Sequence, residues 1–176
     1  GVYWLTARAV DKSGGITSSA PVAVRVGNPE RYRAVMLAGS GSLIDGLPWD
    51  GSGSRNLVIK GEPTTRADLE LSPPVDAARA ALLRSFVHTK EGTSVTLSGL
   101  PPGSYEVYLY VVADGPPETY DLLIKGKLVQ SQFASGPSGR WERAGPWFVD
   151  VSDGVLDLAA RGGEANFSGL EVWRVK

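Results

Sequence analysis

The chain has no cysteine, one histidine and one methionine among its 176 residues. It therefore has no disulfide framework, no thiolate metal site and no cysteine nucleophile, and its lone histidine cannot build a multi-histidine metal centre. Neither charge is in excess, because 18 basic residues stand against 19 acidic ones. That balance excludes the electrostatic footprint of a protein that binds nucleic acid or an anionic membrane surface.

A long hydrophobic run is also missing. No apolar stretch approaches the roughly 20 residues that span a bilayer, so membrane insertion is not expected, and no signal peptide is present. Glycine and proline are abundant instead, with 22 and 12 residues, many of them in turn-like clusters. The segments between these clusters are short and rich in Val, Leu, Tyr and Thr, which predicts an all-β sandwich or barrel.

The first 27 residues have the pattern of a single hairpin. Alternating stretches at 4–10 and 21–26 flank residues 11–15, which can form a turn. Two strands alone cannot bury a core, so this hairpin must pack on the rest of the chain, pair with another chain or be a remnant of a longer protein. We expect the chain to be an excised or processed piece. The glycine and proline near residue 28 set the predicted division: a hairpin fragment over 1–27, a linker over 28–30 and a main domain over 31–176.

Strand patterns dominate the main domain. An alanine-rich stretch at 75–83 follows two prolines and predicts one or two turns of helix. Residues 39–53, rich in glycine and serine, predict a loop. The predicted strands are 33–38, 57–60, 69–71, 85–89, 94–98, 105–113, 120–124, 128–132, 147–151, 155–160 and 170–175, with turns at 91–92, 125–126 and 153–154.

A glycine stands two residues before the strand-opening Tyr105, and the same spacing occurs before Tyr3. This spacing suits a tyrosine corner, in which the tyrosine hydroxyl bonds to the backbone of the crossing connection. The pattern predicts Greek-key sandwiches on both sides of Pro29.

Two segments carry a family resemblance. Residues 100–110, Leu-Pro-Pro-Gly-Ser-Tyr-Glu-Val-Tyr-Leu-Tyr, resemble the central strand of malectin-like and galactose-binding-like carbohydrate modules. Residues 166–173 are similar to the closing strand of that family. Together with the loop at 45–50, the resemblance covers about residues 31–176 and implies a jelly-roll β-sandwich that binds glycans without cleaving them. The first 26 residues resemble bacterial immunoglobulin-like repeats, which often neighbour such modules.

The resemblance also implies site residues. Phe86 and His88 match a strand on which the family places an aromatic pair, although His88 departs from that pair. Asp114 matches an acidic position after the long central strand. Glu164 and Asn166 match polar residues before the last strand. Related sugar-binding sandwiches often carry a structural calcium ion, which leaves calcium as an alternative to no cofactor at all.

Sugar recognition needs flat rings that stack on the pyranose and planar polar groups that pair with its hydroxyls. Trp49 and Trp141 lie in polar loops, where binding residues concentrate, and a tryptophan in such a setting is hard to bury completely. They are the predicted stacking residues, with Arg140 as a further hydrogen-bond donor. The alternative is that each ring folds back to cover the end of the sandwich.

Enzymatic signals are weak. A catalytic base at His88 requires an orienting carboxylate and a nucleophile within reach, and the sequence links it to neither. A half-exposed strand histidine is the favoured interpretation. Carboxylate pairs that could hydrolyse a glycoside exist, but any acidic β protein offers such pairs.

The sequence thus predicts a non-catalytic carbohydrate-binding module that binds a polysaccharide or oligosaccharide. We expect it in a secreted or cell-surface bacterial protein, next to an immunoglobulin-like segment or a glycan-active enzyme module. The alternative is a structural or adhesive sandwich that docks onto a protein partner, with the hairpin completing an immunoglobulin-like sandwich by strand addition. A hydrolase is the third hypothesis.

Overall fold

The computed structural model describes residues 2–20, 22–25, 27–90 and 92–176. Strands account for 57% of it and helix for 5%, which confirms the predicted all-β sandwich. Its strands are β1 (Val2–Leu5), β2 (Arg8–Val10), β3 (Ile16–Ser18), β4 (Val22–Arg25), β5 (Pro29–Met36), β6 (Gly41–Ile44), β7 (Leu47–Asp50), β8 (Leu57–Lys60), β9 (Glu62–Thr65), β10 (Ser85–His88), β11 (Ser94–Ser98), β12 (Gly103–Val112), β13 (Thr119–Ile124), β14 (Lys127–Ala134), β15 (Trp141–Val151), β16 (Val155–Arg161) and β17 (Phe167–Val175). The helix α1 (Ala77–Arg84) lies between β9 and β10.

Two sheets make the sandwich. The larger runs β15-β12-β17-β5-β7-β6, with β10 on β17 and β9 on β10, and the smaller runs β14-β13-β16-β11-β8. The inward side chains of both sheets form one buried cluster, to which Leu109 and Val172 contribute from the larger sheet and Leu97 and Leu158 from the smaller. Buried residues alternate with more exposed ones along β11 and β16, which places Leu97 and Leu158 on the inner face of the smaller sheet, as strand geometry requires.

A second apolar layer covers the outer face of the larger sheet. Leu82 and Leu83 of α1 pack with Trp49, Tyr110 and other buried residues of that sheet. In the connection before the helix, Leu69 packs in a further cluster with buried residues of β10 and β12. The sheet is therefore covered on both faces over this region, which removes several of its side chains from solvent.

The tyrosine corner is present. The hydroxyl of Tyr105 donates to the backbone oxygen of Pro101 at 2.6 Å, and the ring is fully buried. This bond holds the connection that enters β12 against the end of the sandwich. It is the tyrosine corner that the glycine-to-tyrosine spacing predicts at Tyr105.

Several element boundaries differ from the prediction. β5 begins at Pro29, inside the predicted linker. The predicted loop at 39–53 contains the hairpin of β6 and β7. Its turn residues Asp45 and Gly46 both have positive φ, 54° and 73°, as a tight two-residue hairpin turn requires. Residues 69–71 form no strand. The side chain of Leu69 packs instead on the outer face of the larger sheet.

The N-terminal strands form small separate sheets. β1 pairs with β4, and β2 pairs with β3, so the predicted strand at 4–10 is divided in two and β3 is additional. The large apolar side chains of Tyr3, Leu5, Val10 and Ile16 are more than half exposed, at 55%, 57%, 61% and 55%. The predicted strand at 21–26 and the turn at 91–92 fall partly on Pro21, Val26 and Glu91, which lie outside the described residues. Within the described residues, the helix has 8 residues and no helix can span a bilayer.

The N-terminus of α1 is capped by Asp76. Its carboxylate accepts from the backbone N–H groups of Arg79 at 3.0 Å and Ala78 at 2.9 Å, and the bond from Arg79 first, then that from Ala78, holds the pKa of Asp76 below its ordinary value. A carboxyl whose pKa is lowered by folding stabilises the protein above its unfolded pKa and loses that contribution as pH falls through the folded value.

We therefore expect Asp76→Ala to lower the denaturant midpoint at about pH 7 and to have a smaller effect below about pH 4, where the unfolded carboxyl is protonated. Urea unfolding of both proteins across this range measures the difference. An effect that is constant with pH would contradict a charged cap.

Candidate functional site

Loops converge at one end of the sandwich, where β10, β12, β14 and β16 all end. The N–H of Ala113 donates to the oxygen of Arg140 at 2.8 Å, and Ser135 donates to Glu118 at 2.9 Å. The hydroxyl of Thr93 donates to Ala165 O at 2.8 Å. A surface cavity of about 270 Å³, which we call the loop-end pocket, lies among these loops. It is lined by Val112, Ala113, Asp114, Gly115, Pro116, Glu118, Ser135, Glu164 and Asn166.

Asp114 is held at the wall of this pocket. The side-chain amide of Asn166 donates to Asp114 Oδ1 at 2.7 Å, and Arg66 Nη1 lies 3.5 Å from Asp114 Oδ2. About 31% of the Asp114 side chain is exposed. An ionised carboxylate offers about four lone-pair sites, so these contacts orient the group and leave acceptor capacity toward the pocket.

Glu164 is oriented by the only histidine. The Nδ1 atom of His88 pairs with Glu164 Oε1, and its Nε2 atom lies 3.1 Å from the hydroxyl of Thr64. In a neutral ring, Nδ1–H donates to the carboxylate and Nε2 accepts from the hydroxyl. His88 is partly exposed on β10, as predicted. Its ring is held by Thr64 and in turn restrains the carboxylate of Glu164, which lines the same pocket as Asn166.

The hydroxyl–imidazole–carboxylate order of Thr64, His88 and Glu164 is the order found in serine hydrolases. The sequence did not reveal it, because Thr64 lies on β9, 24 residues before His88, and Glu164 lies 76 residues after it. A working hydrolase also needs donors placed for the developing oxyanion. The contact between Thr64 and His88 and the contact between His88 and Glu164 together restrict the orientation of the Glu164 carboxylate.

Two of the predicted binding residues, Trp49 and Phe86, are buried in the structure. Trp49 is 5% exposed and Phe86 is fully buried. The Trp49 ring meets Tyr110 edge-on at 5.5 Å, and Phe86 packs with Val112 and other buried residues on the outer face of the larger sheet. Neither ring has a face free to stack on a sugar. The apolar layer of α1 and its preceding connection covers both rings, which a local sequence pattern does not show.

Trp141 and Arg140 lie next to the loop-end pocket without lining it. Trp141 is half-buried against the outer-face clusters, and its indole N–H donates to Pro73 O at 2.7 Å. The Arg140 side chain is half exposed and lies 3.7 Å from Glu142. Trp141 thus follows the alternative weighed for it, a ring folded back onto the sandwich.

Asp114, Glu164 and Asn166, by contrast, share one cavity. Sequence reasoning missed Glu118, which lies on the same β12–β13 loop as Asp114, and Ser135, which lies on the loop between β14 and β15. The Gly-Pro-Pro-Glu turn at 115–118 was a local signal for the first of these loops, but no local signal shows which loops meet. Among the described lining residues there is no aromatic ring, so this wall offers hydrogen-bonding groups and no ring for stacking.

A metal site has no geometric support. Among the described residues, no group of three or more His, Asp or Glu side chains is placed to hold a metal ion. Calcium usually takes six to eight oxygen ligands, and the carboxylates of Asp114 and Glu164 already have nitrogen partners in Asn166 and His88. Calcium stays a prediction from the resemblance alone.

Comparison with known proteins shows similarity at the level of structure. No protein-family model and no curated protein matches the chain. A structure of Bacteroides uniformis β-glucuronidase 2, covalently bound to cyclophellitol-6-carboxylate aziridine, matches 98% of this chain with TM-score 0.65 and 16% identity. The plant receptor-like kinase ANX2 matches 90% of it with TM-score 0.70 and 10% identity. A structure of the plant peptide RALF23 in complex with FER and LLG2 matches 83% with TM-score 0.63 and 11% identity.

The matched segments are parts of larger chains. The chain spans 22% of the bacterial enzyme, 52% of the ANX2 chain and 49% of the matched chain in the peptide complex. At these identities the likeness concerns the fold alone. The chain therefore has a β-sandwich fold that is shared by a segment of a bacterial glycosidase and by parts of plant receptor-like kinases.

Proposed function

We propose that the chain is a non-catalytic carbohydrate-binding module and that the loop-end pocket is its binding site. The observation that carries the proposal is the convergence of Asp114, Glu164 and Asn166 on one cavity, each with a partner that fixes its orientation. Carboxylate and amide groups held in this way match the alternating donors and acceptors of sugar hydroxyls.

The proposed recognition depends on polar groups. Asp114 and Glu164 accept hydrogen bonds from sugar hydroxyls, and Ser135, which also lines the pocket, can donate or accept. Val112 and Pro116 supply the apolar part of the wall. This arrangement replaces the tryptophan stacking that the sequence predicts, and it favours one or two sugar units over a long chain lying on a flat aromatic surface.

The solved structures support this proposal through their context. One neighbour is a glycosidase of which this fold is about a fifth, and another is the ectodomain of ANX2. We infer that residues 31–176 form a domain of a larger extracellular or cell-surface protein, adjoining a catalytic or immunoglobulin-like module. Residues 1–27 belong to the neighbouring module in this division.

A protein-docking role is the second candidate. The exposed Tyr3, Leu5, Val10 and Ile16 side chains favour it, because small sheets that expose large apolar groups gain stability from a partner surface. The structure of RALF23 with FER and LLG2 shows that a matched fold occurs in a complex with a peptide. In this alternative the first residues, and not the loop-end pocket, carry the interaction.

The test is a glycan array probed with the full chain and with Asp114→Ala. We expect at least one glycan to bind the full chain, and Asp114→Ala to weaken that binding by about tenfold or more, because hydrogen bonds to a charged group contribute roughly 1.5–3 kcal/mol.

Asp153→Ala is the matched control, because Asp153 is exposed in a turn at the opposite end of the sandwich and pairs with Lys125. Equal binding by both variants would remove the loop-end pocket from the proposal. A folded chain that binds no glycan would favour the docking role.

A further inference from the structure

A second polar site lies on the larger sheet, away from the loop-end pocket. Among the described residues, the buried side-chain nitrogen and oxygen atoms that lack a hydrogen-bond partner are Nε and Nη2 of Arg31 and Nε1 of Trp173. These two residues are direct cross-strand partners on β5 and β17. Buried polar atoms are nearly always paired, so three unpaired donors on adjacent residues indicate a missing acceptor.

The unpaired edge of Arg31 has a specific shape. Nε and Nη2 form the fork that receives both oxygens of a carboxylate. Arg143, on the same sheet, uses this edge on Glu171, with Nε and Nη2 at 2.8 and 2.5 Å from Oε2. Arg31 Nε lies 4.0 Å from Glu171 Oε1, which is too long for a hydrogen bond. Glu171 therefore satisfies one arginine and leaves the fork of the other empty.

Arg31 stands between two surface cavities. Their volumes are about 310 and 400 Å³, and Arg31 and Tyr32 line both. The first falls at the lower end of the roughly 300–1,000 Å³ range of small-ligand sites. Neither Nε nor Nη2 of Arg31 makes a hydrogen bond. Rotation of the fork toward a cavity therefore breaks no hydrogen bond of these two atoms.

The neighbouring cations already have partners. Arg33 pairs with Asp50 at 2.8 Å, and Lys176 pairs with Glu30. The Arg31 guanidinium lies over the Trp49 ring at 5.4 Å, a contact that stabilises the positive charge but accepts no hydrogen bond. Arg174, which lines the second cavity, donates to the backbone oxygen of Pro102 at 3.0 Å, whereas neither Nε nor Nη2 of Arg31 has an acceptor.

The first cavity has an apolar part beside the Arg33–Asp50 ion pair, which also lines it. Leu47 and Tyr32 are 45% and 41% exposed and line it together with Pro48. A ligand that carries a carboxylate on a ring with an apolar face matches both features, because the fork takes the charged group and the apolar part takes the ring. A uronic acid is such a ligand.

We propose that Arg31 and Trp173 form a binding site for the carboxylate of an acidic sugar. Its sugar component rests on the proposed carbohydrate-binding function, whereas its carboxylate component rests on the unpaired donors alone. The acidic sugar binds through the Arg31 fork, the indole N–H of Trp173 adds a third donor, and Tyr32 contacts the ring.

The test is a titration of the ¹⁵N-labelled full chain with galacturonate, galactose and acetate, followed by NMR at the Arg31 Nε–H and the Trp173 Nε1–H signals. We expect saturable shifts of both signals with galacturonate and binding about tenfold weaker or more with galactose, since the charge-assisted fork is then lost. Added salt should weaken the galacturonate complex. Absence of the shifts would show that water or Glu171 fills the gap and would overturn the proposal.

Arg31→Met keeps the buried stem and removes the fork, so we expect it to abolish the galacturonate shift at Trp173. Arg161→Met is the matched control, because the Arg161 side chain is 67% exposed on the smaller sheet. Galacturonate binding that persists in a folded Arg31→Met protein would overturn the site. Acetate that binds as tightly as galacturonate would overturn the sugar component.

Asp114→Ala separates this site from the loop-end pocket. It should leave the galacturonate shifts unchanged. If no neutral glycan on the array binds and galacturonate binds at Arg31, the loop-end pocket is contradicted as a sugar site and the carboxylate site is supported.

Discussion

Replacing Trp49 by alanine is expected to lower the free energy of unfolding by about 3–5 kcal/mol, the usual cost of removing a buried tryptophan. The ring is 5% exposed and fills the space between the larger sheet and α1, where it packs against Leu82, Met36 and Tyr110. Its removal leaves a cavity that these neighbours cannot fill without moving the helix. Urea or thermal unfolding measures the loss.

Phe148→Ala is the matched aromatic control. That ring is 43% exposed, so its truncation should cost about 1 kcal/mol. A Trp49→Ala protein with wild-type stability and impaired glycan binding would contradict the buried position and return Trp49 to the ligand site. Loss of stability with binding retained, measured below the unfolding temperature, would support the structure.

Gly139→Ala is the second large effect. Gly139 has φ +83°, and a Cβ there would lie 1.9 Å from the backbone oxygen of Glu70. Its own backbone joins two segments, because its N–H donates to Ala113 O at 2.7 Å and its oxygen accepts from Ser72 at 2.9 Å. The added methyl must push the connection that precedes α1 away from the sheet. We expect a loss of about 1–2 kcal/mol from the positive φ and a further loss of about 1–3 kcal/mol from overpacking.

Comparison with Gly126→Ala isolates the loss at Gly139 that comes from overpacking. Gly126 also has a positive φ, 69°, but nothing lies within 4 Å of its added Cβ, so only the backbone cost of about 1–2 kcal/mol applies. Equal losses in the two variants, measured by urea unfolding, would contradict the close approach at Glu70. A larger loss at Gly139, with weaker glycan binding at the adjoining pocket, would confirm that this glycine joins the loop to the connection.

Local pattern accounts for much of the fold. The predicted strands at 57–60 and 94–98 have the bounds of β8 and β11, since alternation along a strand reflects one buried face. The predicted corner at Tyr105 is also present. The hairpin of β6 and β7 escaped prediction, although the Asp45-Gly46 pair was its signal, because the glycine and serine around it favoured a loop.

The candidate site was likewise predictable from the sequence only in part. Asp114, Glu164 and Asn166 each follow or precede a core strand, and the resemblance assigned each of them to the predicted site, while the structure shows that they line one cavity. The pairing of His88 with Glu164 joins elements 76 residues apart, and no pattern in either segment reports it. The empty fork of Arg31 is equally hidden, because it depends on how far Glu171 lies from a neighbouring strand.

The sequence by itself determined the class of fold, the position of its main strands and the lack of a cysteine or multi-histidine site. These properties follow from composition and from alternation over a few residues. Tertiary structure alone decided that Trp49 and Phe86 are core residues and that the pocket is walled by polar groups. The reason is that the burial of a side chain depends on what covers it, and here the cover comes from residues 69–83, which neither ring's own strand specifies.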